Sequence, residues 1–142
     1  MSDPDQLPAE ILRTARTIAV LGMKGDDEPD SPASAVPQYL AAHGYTVLPV
    51  NPELVEAGHP GAVATLGELK EPPDVVEVFR NPENVAEHAD ELLALRPKAV
   101  WLQLGIRNDE VARRLEEAGI RVVQDRCMKV EHHRLHAGER WG

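Results

Sequence analysis

The sequence predicts an α/β fold, a doubly wound and mostly parallel sheet of five or six strands with helices on both faces. Two observations carry this. Apolar runs rich in Val and Ile recur along the chain, "TIAVLG" (17–22), "TVLPVN" (46–51), "DVVEVF" (74–79), "AVWLQLG" (99–105) and "RVVQD" (121–125). Their apolarity is continuous rather than alternating, as strands covered on both sides require. Between them lie segments with helical spacing, at 34–43, 83–95 and 108–118. Strands alternating with helices, joined by right-handed crossovers, place helices on both faces.

Each element has its own signals. Gly22 closes the first strand where a missing Cβ lets the chain or a ligand pass close. The helix after it is expected to start at Ser34, because a start at Ser31-Pro32 puts Pro37 in the helix interior, at a cost of about 3 kcal/mol. Free N–H groups around Ser34 to Val36 would then form an anion site facing the first strand's end, with Lys24 as the loop's one cation. Gly44 ends that helix. In "HPGAVATLGELKEPP" we expect a brief edge strand or turn around Val63 and a short helix at Leu66 to Leu69. Asn81 with Pro82 opens the next helix, whose apolar face is Val85, Ala86, Ala89, Leu92 and Leu95. Asn108 caps a segment carrying Val111, Ala112 and Leu115, and Gly119 ends it.

The whole of 1–142 reads as a single domain, with a short N-terminal extension over about 1–10 and a C-terminal tail over about 134–142. Its 42% hydrophobic and 27% charged residues are ordinary for a globular protein. A formal net charge of −9 leaves no basic footprint for nucleic acid. No apolar run is long enough to span a bilayer and no basic amphipathic helix suggests a membrane surface. The start "MSDPDQLPAE" lacks the features of a signal peptide, and the single cysteine, Cys127, suits a reducing cytoplasm. The expected partner is therefore a small molecule; no protein partner is legible.

Ligands of such sheets bind at the carboxyl ends of the strands, near the point where strand order switches. That directs attention to Gly22 to Lys24, Val50 to Pro52, Phe79 to Pro82 and Gln103 to Arg107. G-x-x-x-x-G-K-[ST] is absent, and after Gly22 the chain reads Met23-Lys24-Gly25-Asp26, not G-x-G-x-x-G. The second strand ends in Asn51-Pro52 rather than in the acid that holds the ribose of NAD. Read without a ligand, Gly22 is a turn and Ser34 a cap.

Five blocks in order, "IAVLGM", "YLAAHGYTVLPVNPE", "DVVEVFRNPENV", "VWLQLGIRN" and "DRCMKVEH", resemble the small stand-alone CoA-binding proteins. These are similar to the CoA-binding N-terminal domain of the succinyl-CoA synthetase α-subunit. The resemblance runs from about Ile11 to His133. It implies a Rossmann-like domain that holds coenzyme A, or an acyl-CoA, by its nucleotide half and diphosphate. Carried onto this chain, it implies that Gly22, Met23 and Lys24 with Ser34 face the diphosphate. Val50, Asn51 and Pro52, with Phe79 and Arg80, line the nucleotide, and Gln103 and Gly105 approach the pantetheine. Phe79 offers adenine a planar wall and Arg80 offers phosphate a cation. The loop reads "KGDDEPD" where the family commonly carries basic residues. The synthetase's phosphorylated histidine belongs to a further domain, so the resemblance implies a binder and no enzyme.

No catalytic constellation emerges from the residues themselves. Cys127 is read as a structural thiol. His132, His133 and His136 are read as a solvated tail, and no ligand spacing makes them a metal site. Trp101 is read as core. Two other classes stay open: an NAD(P)-linked oxidoreductase or acyl-CoA ligase component needing another subunit, and an interaction module with a vestigial nucleotide pocket.

Overall fold

Runs of Val, Ile and Leu with no polar side can stand only between two helical layers. A computed structural model describes residues 4–135 and shows that arrangement. Strands β1 (Thr17–Leu21), β2 (Thr46–Val50), β3 (Val75–Val78), β4 (Ala99–Leu102) and β5 (Arg121–Val123) form one sheet of five, every pair parallel. Their spatial order is β2-β1-β3-β4-β5. The helices are α1 (Gln6–Thr14), α2 (Pro32–Ala42), α3 (Pro52–Glu56), α4 (Pro82–Val85), α5 (Ala89–Leu95), α6 (Asp109–Glu117) and α7 (Met128–Leu135). A 3₁₀ turn, Ala86–His88, joins α4 to α5.

Alternate residues of each strand feed two cores. Ala19, Val76 and Val100 pack with Val85 and Leu92 of the α4–α5 run and with Val111 and Leu115 of α6. Ile18, Val75 and Trp101 pack with Ile11 of α1, Leu40 of α2 and Met128 of α7. Trp101 is wholly buried there and donates its indole N–H to the Arg126 carbonyl. The half-buried Cys127 packs against the same core. Around Val63 the chain makes a single bridge to Val50, and Leu66–Glu68 is a 3₁₀ turn. No described helix is long and apolar enough to cross a membrane.

The chain ends differ from the sequence reading. The supposed N-terminal extension is helical from Gln6, and α1 buries Ile11 and Leu12. Residues 128–135 are helical too, which the short spacing of apolar residues there did not announce. Asp5 ties the two helices together, accepting from Arg126 and from Arg134, which hold its carboxyl down at about 2. His132 is no solvated tail residue. It is buried, and its Nδ1 lies 2.8 Å from the Tyr39 hydroxyl. Residues 136–142, with His136 and most of the expected tail, lie outside the described residues.

From β1 the chain winds out to β2, then returns across β1 to build β3 on its other side. β1 and β3 therefore part at their carboxyl ends, and this is the switch point. Gly22 stands there with φ +85°, and a Cβ on it would meet the Phe79 carbonyl oxygen at 2.4 Å. At the strands' other ends Asp74 clasps the same pair. Its carboxylate accepts from the N–H groups of Arg16 and Thr17, and the Thr17 hydroxyl accepts from the Asp74 N–H.

Directly beneath the switch point lies a buried acid. Glu77 of β3 sits between Val20 of β1 and Trp101 of β4 in register, wholly buried, and neither carboxyl oxygen has a hydrogen-bond partner among the described residues. Burial pushes this carboxyl up to about 8, so it is a neutral acid at pH 7.

Two outcomes follow. Gly22→Ala combines a clash with backbone and a left-handed φ, and the φ strain alone is worth about 1–3 kcal/mol; urea denaturation should show at least that loss with the m-value unchanged. For Glu77, the unfolded chain releases its proton near the ordinary 4.5 while the folded chain holds it to about 8. Stability contributed by this group must then fall as pH rises through that window, by at most about 1.4 kcal/mol per pH unit. Glu77→Gln keeps the shape and the neutral state, so its melting temperature should exceed that of the wild type at pH 8 and match it at pH 4.

Candidate functional site

The parted ends of β1 and β3, with the end of β4 beside them, open into a cleft of about 380 Å³. Gly22, Phe79 and Gln103 lie one pleat above the Val20–Glu77–Trp101 layer and form its floor region. Lys24 and Arg80 bring positive charge, and among the described residues no carboxylate lines the cleft. In a chain of net charge −9 that is a marked local reversal. The acidic residues Asp26, Asp27, Glu28 and Asp30 are exposed and are not among its lining residues. A larger groove of about 470 Å³ lies over the β2 side, lined by Leu48, Val63, Leu69 and Pro72. It reaches Thr17 at the amino end of β1, so no strand carboxyl end opens into it.

Arg80 is the distinctive group. It is half-buried, and its Nε is shut off from solvent with no hydrogen-bond partner among the described residues. Among the described residues it makes no ion pair. A buried N–H donor left unmatched costs about 1–3 kcal/mol, so this guanidinium is prepared for an acceptor the chain does not supply. Lys24 is differently placed: its Nζ lies 3.9 Å from Glu28 and 3.7 Å from Glu53.

The amino end of α2 departs from expectation. Ser31, not Ser34, is the cap, its Oγ accepting from the Ala33 N–H. The helix thus carries Pro37 in its interior. The missing N–H of Pro37 frees the Ala33 carbonyl, and the Lys24 N–H takes it at 3.0 Å. That bond straps the strand-end loop to the helix, so the proline serves the loop's placement. The N–H groups expected to be free are spent. Ser34 N–H and Ala35 N–H both donate to the Ser31 carbonyl, and Ser31 N–H to that of Glu28.

The structure divides the residues singled out from the sequence. Gly22, Lys24, Phe79, Arg80, Gln103 and Gly105 come together in the cleft. Met23, Ser34, Val50, Asn51 and Pro52 lie outside its lining and build its frame. Met23 and Val50 are buried in the two cores. Ser34 is buried and donates to the Gly25 carbonyl. Asn51 caps α3 through the Glu53 N–H and donates its amide to the Met23 carbonyl, with Pro52 at the helix's first position.

Several lining residues were not singled out as contacts, among them Ser31, Asn81, Leu104 and Ile106. Asn81 occupies the cap position of α4 but makes no side-chain cap bond, so it is exposed at the cleft instead. Leu104 and Ile106 belong to a turn whose signal was the Gly105 between them. The Ile106 N–H donates to the Gln103 carbonyl at 2.9 Å, and Gly105 takes φ +86°.

This assembly recurs in other proteins. Residues 16–133 match the family described as the CoA binding domain. The uncharacterized protein YneT of Bacillus subtilis is 38% identical over 123 residues, 87% of this chain and 90% of that one. The solved structure of cell-free ID.343 from Thermus thermophilus is 50% identical, with a TM-score of 0.83 over 95% of this chain and 99% of that one. A hypothetical protein from Pyrococcus horikoshii OT3 is 33% identical, with a TM-score of 0.81 over 92% and 91%. The match takes in the switch point, the Arg80 strand end and the Gly105 turn together, and the chain belongs to the CoA binding domain family.

Proposed function

We propose that this domain is a non-catalytic binder of coenzyme A, acting in the cytoplasm, and that it holds the ligand in the switch-point cleft. The observation that carries this is Arg80, a cation with a buried, unmatched donor in a cleft that no carboxylate lines among the described residues. The diphosphate takes the Arg80 fork, a charge-assisted contact that supplies the missing acceptor. Phe79 stands beside it as a flat apolar wall, and Gln103 and Gly105 border the pantetheine path. Because the helix N–H groups of α2 have internal partners, phosphate recognition rests on side chains, which makes Arg80 dominant.

At the end of β2 the Asn51 side chain has both its amide and its carbonyl committed, to Met23 and Glu53. The strand itself ends in Asn51 rather than in the acid that holds a ribose diol, which favours CoA over NAD. Lys24 must trade Glu28 and Glu53 for phosphate if it contributes. Those pairs are exposed and individually weak, so the exchange is nearly balanced.

Thermal shift with CoA, acetyl-CoA, NAD and ATP at equal concentration tests the ligand class, since stabilisation grows as RT ln(1 + [L]/Kd). A shift from the CoA compounds alone is expected. An NAD shift without one from CoA would replace this reading by an oxidoreductase, and silence from all four by an interaction module with a vestigial pocket. Arg80→Ala should weaken CoA about tenfold to a hundredfold by titration, the range for a hydrogen bond to a charged group. An unchanged Kd would remove Arg80 from the site.

A further inference from the structure

Leu104 is one of three exposed large hydrophobic residues described, with Val55 and Val130. It is 63% exposed, the most exposed large hydrophobic residue described, and it stands on the lip of the cleft. The chain holds it there firmly. Leu104 is the second residue of the Gln103–Ile106 turn, the corner position, and Gly105 follows with the positive φ that such a turn needs. The Asp125 carboxylate accepts from the Gly105 N–H at 2.7 Å, and the Asp125 N–H donates to the Ile106 carbonyl at 3.1 Å. Asp125 itself adopts φ 57°, an uncommon backbone state for a residue other than glycine. A strained residue and a pinned turn therefore fix an apolar side chain in water.

The neighbours extend the apolar surface. Ile106, Pro82 and Phe79 line the same cleft, while Arg80 and Lys24 carry its charge. The cleft thus offers charge for an anionic head and an apolar lip for something beyond it. Free CoA ends in a polar thiol beyond the pantetheine. A fatty acyl group on that sulfur adds the apolar surface that an exposed leucine on the lip can cover.

We infer that the ligand is an acyl-CoA with an apolar acyl chain, and that Leu104 is the specificity-determining residue that packs against the chain. This rests on the CoA reading of the cleft. Full burial of one methylene is worth about a fourfold gain in affinity, so a chain lying along an open lip should gain about twofold to fourfold per methylene.

Calorimetric titration with CoA, acetyl-CoA, butyryl-CoA and octanoyl-CoA tests it. In the wild-type protein the Kd should fall stepwise with chain length. In Leu104→Ser the steps should flatten, read as the ratio of the Kd for free CoA to that for each acyl-CoA in the same variant, and Leu104→Met should retain them. The residue is exposed, so all variants should keep the wild-type melting temperature. Equal affinity for CoA and octanoyl-CoA would overturn the inference and leave the CoA reading standing; that is the pattern if a second copy of the chain covers Leu104 instead. Steps that persist in Leu104→Ser would also overturn it, by removing Leu104 from the chain's path. Absence of binding by all four would overturn both readings together.

Discussion

The approach of Gly22 to the Phe79 carbonyl is the constraint on which the rest of the molecule turns. Two parallel strands that exit in opposite directions must still lie against each other at their ends, and no side chain fits between them. The Gly22 N–H is bonded to Val50 on one side, and the Phe79 N–H to Leu21 on the other. The ends of β2, β1 and β3 are thus joined before any loop begins. Phe79 and Arg80 leave β3 along a path set by that contact. A cleft whose floor is backbone keeps its shape whether or not it is filled, and preorganisation of this kind lowers the cost of binding.

Charge in the cleft follows from what the backbone has already used. The interior Pro37 hands the Ala33 carbonyl to Lys24, and Ser31 absorbs the first N–H groups of α2. With those donors consumed, attraction for an anion falls to the side chains at the strand ends. The acidic loop does not cancel it, because its carboxylates are exposed and screened, whereas the Arg80 Nε is shielded from water. Net charge and site charge therefore have opposite sign in one small domain.

The sheet was legible because its signal is long and redundant. Each of the five runs lies in a strand, and the crossover rule supplies the layering. Edges were less so: the strands end one to three residues before the apolar runs do, since Gly22, Phe79 and Gln103 belong to the departing loops. α1 escaped notice although Leu7, Ile11 and Leu12 give it an apolar face, because it lies in a stretch read as an extension, and α7 because its apolar residues are few. The two are tied by Asp5 with Arg126 and Arg134, contacts more than 120 residues apart. The start of α2 was misplaced by a sound local rule. Proline inside a helix is penalised through its missing donor, and here that loss serves a tertiary bond invisible to any local window. Of the residues singled out, Gly22 and Lys24 after β1 and those at the ends of β3 and β4 reach the cleft, while Met23, Ser34 and those at the end of β2 are committed to capping, core and loop contacts.

Several local rules of folding are broken beside the cleft. Among the described residues Glu77 is a buried carboxylic acid without a hydrogen-bond partner, Arg80 has an unmatched Nε, Leu104 is an exposed leucine and Asp125 a non-glycine residue at positive φ. All four lie at or within one pleat of the carboxyl ends of the strands. Similar faults occur elsewhere, at the unmatched Nε2 of His88, at Arg96 with φ 55° and at the exposed Val130. What sets the four apart is their shared place, because groups that await a ligand cannot also be satisfied by the fold. Glu77 belongs to this set by position and not by contact: buried beneath Phe79 and Gln103, it places a neutral polar group under the floor of the cleft. The stability that β3 forgoes there lies in the strand that leads directly into Phe79 and Arg80, so the cost of the buried acid and the residues of the cleft belong to one stretch of chain.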